Sequence, residues 1–312
     1  PTIATAPAPS GRTLSFPSDV SIGTLSIRDW GYSTNPQGDH KEPWSRLGDA
    51  KGSVEIPSGK EVRLSFDPAQ IGQIAALRKL GANSLQSLTI NDSILSDGDM
   101  KYLSHLTGLF DLSIDNSQVG PEGYAKLSRL SSLREVSMIA TTLGEPGRAF
   151  IAHQPYIESI DADRADLTDA WLIGLPPMDN LIFLSLDEIE HITDEGVAHI
   201  AKHRNLKKLF LSYTQVTDKG LKEIQSLKFV DRLWLESTQI TDAGMDGFRT
   251  MPNLAELGVA YTQVSSEGLM KLSGIRTLKK VGIRGCNNIS IDGARRFQNA
   301  NPDCFLETAI EL

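Results

Sequence analysis

The chain has 312 residues, 40% of them hydrophobic, with 31 basic against 39 acidic side chains, a net charge of -8 and a pI near 5.3. That acidic balance argues against nucleic acid or an anionic membrane surface as the main partner. No apolar run reaches the roughly 18 residues that a membrane-spanning helix needs.

Residues 1–12, PTIATAPAPSGR, are rich in Pro, Ala, Ser and Thr and read as a flexible linker. Such a linker often follows a removed signal, a lipid anchor or another domain, so an exported or cell-envelope location is expected over a cytoplasmic one. Residues 13–60 have a different texture. Thr13–Phe16, Ile22–Ile27 and Ser53–Ile56 alternate apolar and polar residues like strands, joined by Gly- and Pro-containing turns. They are expected to form an N-terminal β cap, with Trp30, Tyr32 and Trp44 as its core. An aromatic ligand site is the alternative for those three.

From Glu61 to the end the chain repeats itself. Glu61-Val-Arg-Leu64-Ser-Phe66 is followed 24 residues later by Leu85-Gln-Ser-Leu88-Thr-Ile90, and the phrase returns with first positions at 109, 133, 157, 181, 206, 230, 254 and 278. Every step is 24 residues except 181 to 206, which is 25. Each LxxLxL head alternates as a half-buried strand does. The tail of each unit is clearest in Thr217-Asp-Lys-Gly220-Leu221-Lys-Glu-Ile224-Gln-Ser-Leu227. Its apolar spacing suits a short helix packed on one side. Thr217 and Asp218 stand where helix-starting oxygens satisfy free N–H groups. The ninth position carries Ser93, Ser117, Thr141, Thr214, Thr238, Thr262 and Cys286, small groups able to bond loop backbone. Three consecutive units are irregular, at Thr142–Gly147, Leu175–Pro177 and Glu188–His191. Pro302-Asp-Cys304-Phe-Leu306-Glu reads as a closing strand near 303–308.

With these residues the chain resembles bacterial leucine-rich repeat proteins of the TDxGLxxLxxL class, which have relatives among ribonuclease-inhibitor-like and F-box-associated repeats. The resemblance covers roughly residues 61–312 and about ten repeats. It implies an α/β fold, a right-handed leucine-rich repeat solenoid with a parallel sheet on the concave face and short helices on the convex face. One such unit cannot bury its apolar face alone, but stacked units can. Residues 1–60 are not expected to hold an F-box-like helical segment.

Motifs for chemistry are missing. There is no GxSxG elbow, no phosphate-binding loop and no HExxH, so no catalytic residue and no cofactor is assigned. His199 and His203 have the i, i+4 spacing of a zinc pair. Alignment places His203 at the inward position of Leu227, however, and no metal site is expected. Cys286 and Cys304 fall at repeat positions that do not face each other and are expected as buried free thiols.

What remains is a surface. Position 5 of each head points outward and reads Thr89, Ser113, Ser137, Asp161, Ser185, Phe210, Trp234, Gly258 and Gly282. Phe210 and Trp234 should stand side by side, with Phe183 and Tyr213 close and Tyr261 further along. Asp115, Asp161, Asp163, Asp187 and Glu188 fall on earlier strands, with Lys208, Arg232, Lys280 and Arg284 on later ones. Clustered aromatics of this kind anchor interfaces. The expected function is a non-catalytic module that binds a protein through Phe183, Phe210, Tyr213, Trp234, Tyr261, Asp161, Asp163, Asp187 and Arg232. A glycan-binding envelope module and an oligomerising scaffold are the alternatives.

Overall fold

The computed structural model describes residues 9–31 and 43–309. Residues 1–8 of the expected linker, Tyr32 and His40 lie outside the described residues. The chain forms two compact units, Pro1–Ser159 and Ile160–Leu312.

In the first unit, β1 (Arg12–Ser15) pairs antiparallel with β4 (Ser53–Ile56), and β2 (Gly23–Asp29) lies antiparallel between β3 (Ser45–Asp49) and β5 (Lys60–Phe66). The described part of the expected linker is tied down. The Pro9 carbonyl accepts from Gly59 N at 2.9 Å, and Arg12 donates to the Ser84 carbonyl at 3.1 Å and to Gln86 Oε1 at 3.0 Å. On β5 the topology changes. Leu64 stands opposite Leu25 on an antiparallel edge and opposite Leu88 of β6 (Ser87–Thr89) on a parallel one. β7 (Asp111–Ser113) and β8 (Glu135–Ser137) continue the parallel order.

Leu14, Ile22, Leu25, Ile56, Val62 and Leu64 form the core beneath these strands. Trp30 and Trp44, expected there, are half-buried on the charged side of the sheet instead. Arg28 and Glu61 are buried as an ion pair, Nε to Oε2 2.6 Å, and the Arg28 and Arg63 guanidiniums lie 4.2 and 4.5 Å from the Trp44 ring centroid. Trp30 packs on Phe110 with ring centroids 5.8 Å apart. The reason is the period of two along a strand. Glu61, Arg63 and their neighbours occupy the outward face, and there the Trp44 ring packs against the Arg28 and Arg63 guanidiniums.

The second unit repeats one pattern. β9 (Ser159–Asp161) precedes α3 (Asp169–Ile173); among the described residues of the first unit, α1 (Pro121–Ala125) and α2 (Gly144–Ala152) are the α-helices, beside 3-10 turns at Pro68–Lys79 and Met100–Tyr102. Then follow β10 (Phe183–Ser185), α4 (Asp194–Ile200), β11 (Lys208–Phe210), α5 (Asp218–Ile224), β12 (Arg232–Trp234), α6 (Asp242–Met245), β13 (Glu256–Gly258), α7 (Ser266–Lys271), β14 (Lys280–Gly282), α8 (Ile291–Ala300) and β15 (Phe305–Glu307). Strands β10 to β15 pair in order, all parallel, with Leu184, Leu209, Leu233, Leu257, Val281 and Leu306 in one register row. All six are buried.

The Thr-Asp-x-Gly phrase joins each repeat to the next. Thr217 caps its own helix, its hydroxyl accepting from Lys219 N at 3.2 Å. Asp218 was expected to help the same helix, but it serves the following repeat. Its Oδ1 accepts from Thr241 N at 2.9 Å and its Oδ2 from Thr241 Oγ1 at 2.6 Å. Asp169 and Asp194 hold Thr193 and Thr217 in the same way. The glycine makes room for this carboxylate: a Cβ on Gly220 would lie 2.4 Å from Asp194 Oδ1, and one on Gly244 2.5 Å from Asp218 Oδ1. Where Ser266 replaces the aspartate, its hydroxyl accepts from Ser290 N at 3.0 Å.

Two further columns complete the turn. Thr141, Thr214, Thr238 and Thr262 each donate a hydroxyl to the carbonyl three residues back, at 2.6–2.7 Å. Cys286 instead reaches into the preceding repeat, its Sγ donating to the Val259 carbonyl at 3.0 Å. The eighth residue of the repeat is left-handed: Asp92, Asn116, Ala140, Arg164, Glu188, Tyr213, Ser237 and Tyr261 have φ between 50° and 59°, and Gly285 has 71°. That conformation turns the chain out of the sheet and puts the eighth side chain at its edge.

Candidate functional site

The outward face of β10 to β15 carries two register rows. One reads Phe183, Lys208, Arg232, Glu256, Lys280, Phe305; the other reads Ser185, Phe210, Trp234, Gly258, Gly282, Glu307. Because neighbouring strands lie about 4.8 Å apart, the rings meet. Phe183 and Phe210 are edge-to-face with centroids 5.2 Å apart, and Phe210 and Trp234 edge-to-face at 5.9 Å. All three are half-buried. Gly258 lets the indole lie down: a Cβ there would be 2.5 Å from Trp234 Cε3. Lys280 Nζ stands 5.5 Å from the indole centroid and is held by Glu307 at 2.7 Å. Arg232 is engaged with Glu256 at 3.2 Å.

At the C-terminal ends of β11 and β12 this platform opens into a hollow of about 300 Å³. Phe210, Trp234 and Tyr213 line it, with Asp187, Glu188 and Glu236 contributing three carboxyl groups and Ser212 a hydroxyl. Tyr213 is 49% exposed at its left-handed position. Burial pushes the Asp187 carboxyl up to about 7, with Asp163 and Glu236 adding to the rise and hydrogen bonds from Ser212 opposing it. Glu236 is also raised, by burial and then by Glu307, against the pull of Lys280. Among the residues lining the hollow there is no cation.

The structure brings Phe183, Phe210, Tyr213, Trp234 and Asp187 together, with Arg232 in the neighbouring row. Tyr261 is 52% exposed one turn further on and lies over Gly285 rather than at the hollow. The acidic column expected to be open to solvent is a hydrogen-bonded ladder at the seventh position. Asp163 Oδ1 accepts from Asp187 N at 2.8 Å and from Ser185 Oγ, and Asp187 Oδ1 accepts from Ser212 N at 2.6 Å. Asp161 Oδ1 lies 3.4 Å from Asp163 N. In the first unit Asp115 is buried outright, accepting from Ile139 N at 2.9 Å and from Ser137 and Asn91 side chains. These carboxylates bond the next strand's backbone, which their sequence position alone does not reveal. Glu236, which the repeat pattern of outward aromatics does not single out, also belongs to the site. It occupies the same seventh position as Asp187, and aligning that column would have found it.

Elsewhere, His203 is buried, and its Nδ1 accepts from Met178 N at 3.1 Å. Burial, with Lys202 nearby, lowers its pKa to about 4. Cys286 and Cys304 are both buried and unbridged, and burial raises the Cys304 thiol to about 11. Among the described residues no helix is long and apolar enough to cross a membrane.

Residues 202–224 match a family described as Leucine Rich repeat. No curated protein matches the chain in sequence. Among solved structures, an internalin (InlF) from Listeria monocytogenes superposes with a TM-score of 0.58 at 18% identity, over 77% of this chain and 71% of that one. The complex of Rad7 and Elc1 from yeast gives 0.61 at 15% identity, over 78% and 68%. With the parallel register and short helices these likenesses establish the fold as an α/β leucine-rich repeat solenoid.

Proposed function

We propose that the protein is a non-catalytic binding module whose partner is another protein, engaged through the outward sheet face of β10 to β13. The observation that carries this reading is the contiguous, half-exposed row Phe183, Phe210 and Trp234 on one rigid sheet. Aromatic side chains presented on regular structure offer large contact area at little entropic cost, which is how interface hot spots are built. That one structural neighbour was solved as a complex of Rad7 with Elc1 lends the reading support by analogy only. The repeat phrase Thr-Asp-x-Gly-Leu further suggests membership of the bacterial TDxGLxxLxxL class.

The test is a comparative capture with wild-type protein and Trp234→Ala, followed by affinity measurement on any partner retained by the first alone. A buried interface aromatic costs about 2 kcal/mol or more on truncation, roughly thirtyfold in affinity. A partner bound equally by both proteins would move the interface off this face. Binding that appears only on a glycan array, and depends on Trp234, would transfer the same platform to sugar recognition.

A further inference from the structure

We propose that the hollow beside Trp234 receives a basic side chain, an arginine guanidinium in the first instance, presented by the protein partner. This rests on the reading of the sheet face as a protein-binding surface and specifies what its central pocket selects. Three features converge. The aromatic side is made by Phe210 and Trp234, with Tyr213 at the exposed edge. A planar cation stacks on such rings. The same lining carries three carboxyl groups, Asp187, Glu188 and Glu236, and no cation. Its volume of about 300 Å³ suits one side chain and is small for a sugar chain.

The surroundings sharpen the choice. Lys280 already sits over the same indole, 5.5 Å from its centroid, which shows that this ring accepts a cation at its face. Lys280 is anchored by Glu307 at 2.7 Å and does not line the hollow. Gly258 clears the space into which Glu236 reaches: a Cβ on Gly258 would lie 3.3 Å from Glu236 Oε1. Glu236 thus sits beside the indole, where one guanidinium can stack on the ring and bond the carboxylate together. Burial raises the carboxyl groups of both Asp187 and Glu236, with Asp163 adding to the rise at the first and Glu307 at the second, where Lys280 opposes it.

The experiment uses the full chain and a pair of capped tripeptides, Gly-Arg-Gly and Gly-citrulline-Gly, which differ in charge but hardly in shape. Binding is followed by NMR at the Trp234 indole N–H, assigned from the Trp234→Phe spectrum. The expected result is a saturable shift with the arginine peptide at millimolar concentration, at least tenfold weaker binding of the citrulline peptide, and a similar loss in Glu236→Gln. Equal shifts with both peptides would overturn the charge selection while leaving the aromatic surface as a binding face. No shift with either would remove the hollow as a side-chain pocket; whether the face binds a protein at all is then decided by the Trp234→Ala capture, which does not depend on charge.

Discussion

Replacing Gly220 by Ala should break the joint between two repeats. The new Cβ would lie 2.4 Å from Asp194 Oδ1, 3.1 Å from its Cα and 3.2 Å from its Cγ, so the carboxylate has to leave. It now accepts from Thr217 N at 2.8 Å, from Thr217 Oγ1 at 2.7 Å and from Gly220 N at 3.0 Å. Hydrogen bonds to a charged acceptor contribute about 1.5–3 kcal/mol each, but water recovers part of that at a half-buried site. A loss of about 4 kcal/mol is reasonable for the set, against about 1 kcal/mol gained from the better helix propensity of Ala. The expected net destabilisation is about 3 kcal/mol, read as a shift of the urea midpoint at unchanged slope. Asp194→Ala should cost a similar amount by losing the same bonds. The decisive measurement is the double variant. If the clash with Asp194 is the cause, the pair should cost about 3 kcal/mol and not about 6, because the second change has nothing left to break. Simple additivity, or a Gly220→Ala variant as stable as the parent, would refute the clamp.

Ala140 is held left-handed at φ 53°, a conformation that costs a non-glycine residue about 1–2 kcal/mol. Ala140→Gly should therefore raise stability by about 0.5–1 kcal/mol after the entropic cost of glycine, and a lowered melting temperature would contradict this. Trp234→Ala should lower stability by about 1–2 kcal/mol, since the indole is half-buried against Phe210 and under Lys280; from its place in the repeat alone it would be expected to cost almost nothing. Asp187 keeps its proton up to about pH 7 when folded but loses it near 3.8 when unfolded. Its contribution is thus present below the unfolded value and lost as pH rises through 7. Wild type should lose stability relative to Asp187→Asn over that window, and parallel pH profiles would exclude the burial effect. His203 has the opposite sign. Its folded value of about 4 lies below the ordinary 6.5, so its stabilisation is complete above 6.5 and lost as pH falls toward 4. His203→Leu should flatten that acid limb, measured by denaturation between pH 4 and 7.

The 24-residue period was enough to place the strands, because each head alternates and its inward Leu, Ile or Val has no other place to be dry. Leu209, Leu233 and Leu257 lie in one row as their spacing requires. The same period put Phe210 beside Trp234, since equal position in successive repeats becomes adjacency once strands pair in register. What the letters did not disclose is where a polar side chain spends its hydrogen bonds. Asp163, Asp187 and Asp218 read as surface charges or helix starters, yet each reaches forward to the backbone of the next repeat. That partner lies about two dozen residues away along the chain, and only stacking brings it within 3 Å. Likewise Glu236 looks like any exposed acid until Gly258 vacates the neighbouring position and the indole lies down beside it. Apolar burial follows from local periodicity alone, whereas the polar clamp and the hollow depend on geometry between repeats, which exists only after the fold has formed.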